Sequence, residues 1–137
     1  MSRAHGAADI DAPLAVVREA LLAAPRLPEW NPAFVRVAGA ARATLGSVYE
    51  VEVIRGLRGT LTYTEVEEHR IAFSWRVPML SEQGIWELRP RGRAGTAVAH
   101  TVERQGALAA VLAHTLRTLP RLRLERLAEH TRGARLR

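Results

Sequence analysis

A chain of 137 residues has the length of one domain and can bury roughly two-thirds of the surface its unfolded form exposes. With 47% apolar and 25% charged residues it is neither disordered nor fibrous in composition, and the absence of cysteine excludes disulfides, thiolate catalysis and cysteine-ligated metals together. The formal charge of +6 rests on arginine with no lysine at all, the imprint of a coding sequence rich in G and C such as actinobacteria use. The arginines are scattered and concentrate only from Arg117 to Arg137, so they read as a solvated helix face rather than a nucleic-acid stripe.

Ala7 to Asp11 reads as a short first strand, and Ala12-Pro13 opens a helix running to Leu22 with Asp11 as its N-cap. Pro25, Pro28 and Pro32 confine Arg26 to Asn31 to one short helical turn. Phe34 to Ala38 is a second strand. From Ser47 the apolar period becomes two, which predicts strands at Val48 to Arg55, Thr60 to Glu67, Arg70 to Val77, Glu82 to Arg89 and Thr96 to Arg104. The intervening turns fall at Gly56 to Gly59, Glu68-His69, Pro78 to Ser81 and Pro90 to Gly95. After Gly106 the spacing turns helical, with Leu108, Val111, Leu112, Thr115, Leu119 and Leu122 on one face and a kink at Pro120. Strand, two helices, six strands and one long helix make a segregated α+β fold in a single domain, residues 1–137. No apolar run approaches the roughly 18 to 20 residues of a membrane span, and Met1 to Asp11 carries charged residues in place of an apolar leader. A cytoplasmic location is the expectation.

Alternation sorts the sheet into two faces. If Gly56 to Gly59 closes a hairpin with Arg55 opposite Thr60, then Tyr49, Val51 and Val53 share a face with Thr60, Thr62, Thr64 and Val66. Ile71, Phe73 and Trp75 join them, followed by Trp86, Leu88, Val98, His100 and Val102. The other face carries Glu50, Glu52, Glu65, Glu67, Arg76, Glu87, Arg89 and Glu103. The inner face is apolar and aromatic but interrupted by Tyr49, Thr62, Thr64 and His100, with Arg55, Glu82 and Arg104 near strand ends. Such a wall is suited to a ligand pocket, because a dry core would leave those polar groups without partners.

Ile10-Asp11-Ala12-Pro13, Leu27-Pro28-Glu29-Trp30-Asn31-Pro32, Gly46, Trp86-Glu87-Leu88 and Gly95 to Glu103 together resemble the START-like (Bet v 1-like, SRPBCC) superfamily, and within it the small bacterial polyketide cyclase/dehydrase-type proteins. The resemblance spans nearly the whole chain. It implies a helix-grip fold, in which a curved seven-stranded antiparallel sheet grips a long C-terminal helix, with two short helices after the first strand and a ligand between sheet and helix. Trp30 and Asn31 match the helical segment near the mouth, and Trp86 and His100 match strands that line the floor. The arginine, tyrosine and asparagine positions associated with aromatic polyketide cyclases have no clear counterpart, so the resemblance carries the fold and not aromatic ring closure.

The chemistry left open is acid/base and conformational. The histidines at 5, 69, 100, 114 and 130 form no close ligand pair, and neither a Gly-x-Ser-x-Gly elbow nor a phosphate-binding glycine loop is present, so no metal or other cofactor is expected. His100 is the first candidate for proton transfer and Tyr49 for donation to an enolate or carbonyl oxygen. The expected ligand contacts are Trp30, Asn31, Val51, Val53, Thr62, Thr64, Phe73, Trp75, Glu82, Trp86, Leu112, Thr115 and Leu119. Two functions follow: a cyclase that templates a polyketide-like intermediate, or a non-catalytic carrier or sensor of a lipid, quinone or other hydrophobic ligand. The chain is expected as a monomer or homodimer. Nucleic-acid or membrane binding through the arginine-rich tail ranks below both.

Overall fold

The computed structural model describes residues 2–135. Seven strands form one antiparallel sheet in the order β1-β7-β6-β5-β4-β3-β2. They are β1 (Ser2–Ile10), β2 (Phe34–Ala38), β3 (Val48–Val53), β4 (Arg58–Val66), β5 (Arg70–Val77), β6 (Leu80–Arg91) and β7 (Gly95–Gln105). Between β1 and β2 lie α1 (Leu14–Leu22) and a 3₁₀ segment, Ala24–Glu29; after β7 come α2 (Ala107–Val111), α3 (Ala113–Leu116) and α4 (Leu119–Arg135). This is the helix-grip arrangement: α4 lies across the inner face, packing on β1, α1 and β7. No described helix is long and apolar enough to cross a membrane.

Several elements differ from the sequence reading, each for a local reason. β1 begins at Ser2, not Ala7, and pairs with β7 from Ser2↔Arg104 to Ile10↔Thr96. Its inward positions include the small residues Ala4, Gly6 and Ala8, and at Gly6 a Cβ would stand 3.1 Å from Leu124 of α4. They therefore carry little strand signal. Pro13, in extended conformation, occupies the N-cap of α1 in place of Asp11 and makes no side-chain cap.

The larger difference is register. The β3–β4 hairpin closes as Glu52↔Arg58 through a 3₁₀ turn at Ile54–Gly56, with Arg55 in the left-handed region at φ 66°. Tyr49 therefore faces Leu61 and Val51 faces Gly59, an odd offset from the expected pairing that turns β4 over. Gly59 is required there, since a Cβ would fall 1.7 Å from the Arg76 carbonyl oxygen. Leu61 and Tyr63 are buried, whereas Thr60 and Thr64 are exposed and Thr62 is half-buried on the outer face. A bulge between Tyr63 and Glu65 then restores Val66↔Ile71. Thr62 and Thr64 are thus removed from the interior. On β5, β6 and β7 the expected inner set, from Ile71 to Val102, is buried.

The last helix is also not continuous. It breaks at Leu112 and again at 117–118, and Pro120 sits in the first turn of α4, where a missing N–H costs nothing, instead of kinking a longer helix. The breaks rephase everything after them. Pro120, Arg123, Leu124, Leu127 and Thr131 face inward, while Val111 is 77% exposed, Thr115 is exposed, and Leu108, Leu112, Leu119 and Leu122 are half-buried.

Candidate functional site

Cross-strand pairing builds the floor under α4. One row runs Leu61–Trp75–Glu82–Arg104 and a nearby row runs Val66–Ile71–Trp86–His100, so an acid, a base and an imidazole are brought together by neighbouring strands. From above, α4 lowers Arg123 onto them. Glu82, His100, Arg104 and Arg123 are all at most 2% exposed. Arg123 reaches Glu82 with both terminal nitrogens, Nη1 to Oε1 at 3.1 Å and Nη2 to Oε2 at 2.8 Å, and its Nε donates to Asn31 Oδ1 at 3.1 Å. Trp75 Nε1 donates to Glu82 Oε2 at 2.5 Å. Arg104 Nη1 donates to the Leu116 carbonyl at 2.8 Å, tying α3 to the sheet. Arg104 Nη2 is 2.8 Å from Glu82 Oε1, an ion pair by distance in which the N–H does not point at the oxygen.

The electrostatics fix the protonation states. Burial alone pushes the Glu82 carboxyl up, but the guanidinium groups of Arg123 and Arg104 outweigh it and hold it below the ordinary carboxylate value. Burial, reinforced by the Arg123 charge, drives His100 down to about 3, so its ring is neutral. That assigns the tautomer: Nδ1–H donates to the Ile85 carbonyl at 3.1 Å, and the Nε2 lone pair accepts from Arg123 Nη1 at 3.0 Å. Trp86 stacks on the imidazole with ring centroids 3.7 Å apart. With two arginines, one carboxylate and a neutral histidine, the cluster carries a net charge of +1.

Beside the cluster is an aromatic wall. Trp30 meets Trp86 edge-on at 5.7 Å, and Phe34 meets Trp75 at 5.8 Å. A narrow cavity there is lined by Leu21, Leu27, Trp30, Asn31, Phe73 and Trp86 among others, and its volume of about 10 Å³ has room for roughly one water molecule. The Trp30 indole N–H, on a side chain only 3% exposed, has no hydrogen-bond partner among the described residues.

A model of the polyketide cyclase / dehydrase and lipid transport family matches residues 1–132. The chain belongs to that family. No curated protein sequence matches it. Among solved structures, a protein from Chromobacterium violaceum superposes with a TM-score of 0.73 at 20% identity, covering 94% of this chain and 96% of that one. Norcoclaurine synthase from Thalictrum flavum, a point mutant in complex with a transition-state analogue, gives 0.73 at 12% identity over 98% and 96% of the two chains. A conserved protein from Geobacillus kaustophilus gives 0.73 at 12% over 97% of each. These likenesses place the chain in the START-like, Bet v 1-like fold.

The interior is closely filled around the buried cluster, and the narrow cavity beside Trp30 and Trp86 is the space it leaves there. Of the residues singled out from sequence, Trp30, Asn31, Phe73, Trp75, Glu82, Trp86 and His100 converge around the cluster and the cavity. Tyr49, Val51 and Val53 are buried farther along the inner face, and the Tyr49 hydroxyl donates to the Ala40 carbonyl at 2.9 Å. Thr62 and Thr64 face outward, Thr115 and Arg55 are exposed, and Leu112 and Leu119 are only half-buried. His69 and His114, read as solvated, are exposed. Arg123 was missed because it lies in the arginine-rich tail, read as a solvated face. Arg117, Arg121, Arg126 and Arg132 are indeed exposed, and Arg137 lies outside the described residues. The signal for Arg123 was its spacing from Pro120 and Leu127, visible only once α4 is phased from Leu119.

Proposed function

We propose that this family member binds a hydrophobic small molecule on the inner sheet face, in a space that starts at the cavity walled by Leu21, Leu27 and Trp30 and opens toward α4 when the segment 107–118 moves. The observation that carries this is Trp30 Nε1, a buried donor without a partner among the described residues at the wall of an aromatic cavity. Leaving such a group unsatisfied costs about 1 to 3 kcal/mol, which an acceptor atom on a guest would recover. Between Ala107 and Thr118 only Ala109 and Leu116 are buried. Short helices with so little burial are the least costly part of the fold to displace.

The geometry favours a carrier or sensor over an acid/base enzyme. Both nitrogens of His100 are engaged, and Tyr49 donates to a backbone carbonyl, so neither residue is free to move a proton in this arrangement. Closure of a polyketide-like intermediate would then proceed by templating, which can supply ~7 to 11 kcal/mol in favourable cases. His100→Ala and Tyr49→Phe separate the two readings once a substrate is in hand, since only a proton-transferring cyclase loses turnover while retaining ligand.

The binding reading is tested with N-phenyl-1-naphthylamine, a neutral fluorescent probe. Saturable uptake with enhanced emission, abolished by filling the cavity with Leu27→Trp, is the expected result. Absence of saturable uptake by the parent protein ends the reading.

A further inference from the structure

Arg104 is 2% exposed, yet only one of its three nitrogens, Nη1, makes an aligned hydrogen bond, the one to the Leu116 carbonyl. Nε and Nη2 have no hydrogen-bond partner among the described residues. These two nitrogens form one edge of the guanidinium, the side-on fork whose parallel N–H groups match the two oxygens of a carboxylate. Glu82 does not fill that fork. Its carboxylate is taken by the two terminal nitrogens of Arg123 and by Trp75, and it approaches Arg104 Nη2 off the N–H direction.

The charge balance points the same way. Glu82 is the one acid in a fully buried group with Arg104 and Arg123, and His100, a base, offers no negative charge in either protonation state. A buried, unneutralised cation is costly, and a fixed net charge of +1 is completed by one negative charge. A phosphate dianion would overshoot it. We infer that the ligand of this protein is a hydrophobic monocarboxylic acid whose carboxylate is read by the Nε/Nη2 edge of Arg104 beneath the 107–116 segment. This rests on the binding reading above and adds to it the chemical class of the ligand's polar end. Arg104 Nη1 holds the Leu116 carbonyl, so the side chain that reads the acid also ties down the segment whose displacement admits it. The two arginines differ in role: Arg123 holds Glu82 and His100 in place through aligned hydrogen bonds, whereas the Nε and Nη2 N–H groups of Arg104 are aligned with no acceptor, although Nη2 lies 2.8 Å from Glu82 Oε1.

The experiment titrates the full chain with straight-chain alkanoates of six to fourteen carbons and with the matched alkanols, read by calorimetry and by the emission of the buried tryptophans. The expected result is that the acids bind about tenfold to a hundredfold more tightly than alcohols of equal length, the difference a charge-assisted fork makes. Arg104→Gln should bring acid and alcohol of equal length to the same affinity as each other, erasing that ratio. Arg104→Lys, which keeps the charge but not the fork, should lose most of it. If Arg104→Gln does not fold, the parent ratio and the lysine variant decide. Equal binding of acids and alcohols, or an acid preference that survives both substitutions, overturns the inference and leaves hydrophobic binding standing. Binding of neither series overturns both.

Discussion

Glu82→Gln is the sharpest perturbation of this structure. The glutamine keeps the shape of the side chain but replaces one acceptor oxygen with an NH₂ group, directed at guanidinium nitrogens that now lie 2.8 to 3.1 Å away. The buried charge rises from +1 to +2 with no exposure to water. Removing one partner of a buried ion pair costs about 3 to 5 kcal/mol, because the other charge remains buried and unpaired. Total stabilities of about 5 to 15 kcal/mol are usual, so this is roughly a fifth or more of what a typical domain has. The corresponding fall in Tm is roughly 10 to 17 °C. Urea unfolding followed by tryptophan emission measures it directly, since Trp75 and Trp86 touch the cluster. The pH dependence supplies a second signature. The folded value of Glu82 is depressed, so its stabilisation is present above the unfolded value of about 4.5 and is lost as pH falls through the lower folded value. The gap between parent and variant should therefore close in strong acid. A loss below about 1 kcal/mol at neutral pH, with an unchanged m value, would refute the claim that Glu82 holds two buried cations in place.

Further expectations follow from the same geometry. His100 is neutral when folded, with a value of about 3, but takes up a proton near 6.5 when unfolded, so stability is full above about 6.5 and should drop by about 1.4 kcal/mol for each unit the pH is lowered from there toward 3. His100→Gln should flatten this slope in urea midpoints measured through the window. Replacing the three charged residues together, Glu82→Leu with Arg104→Leu and Arg123→Met, should cost less in urea unfolding than Glu82→Gln alone while removing any acid preference, because no unpaired charge stays buried. Thr62→Val with Thr64→Val should change unfolding free energy by no more than about 0.5 kcal/mol and leave probe uptake intact, since both face outward. Gly84→Ala should destabilise by about 1 to 3 kcal/mol, because its Cβ would lie 2.2 Å from Phe73 Cζ. A neutral result in urea unfolding would mean the ring has room to slide.

Much of the architecture was legible in the chain by itself. The change from period two to helical spacing near Gly106 separates sheet from helix, and alternation from Arg70 onward sorts the inner from the outer residues on β5, β6 and β7. The local words around Trp30 and Trp86 point to the helix-grip fold. These are short-range signals, written in the order of neighbouring side chains. What escaped depends on quantities that alternation does not encode. A 3₁₀ turn at Ile54–Gly56 shifts pairing by an odd step, which moves Tyr63 inside and Thr62 and Thr64 out, and a bulge at Thr64 then shifts it once more to restore Val66 opposite Ile71. Two breaks between Leu112 and Leu119 rotate α4, turning a tail arginine into the centre of the core. The closeness of Glu82, His100, Arg104 and Arg123 was decided only by tertiary structure. Burial without water lets four polar side chains from β6, β7 and α4 satisfy one another across 41 positions of sequence, and it leaves one guanidinium edge unsatisfied.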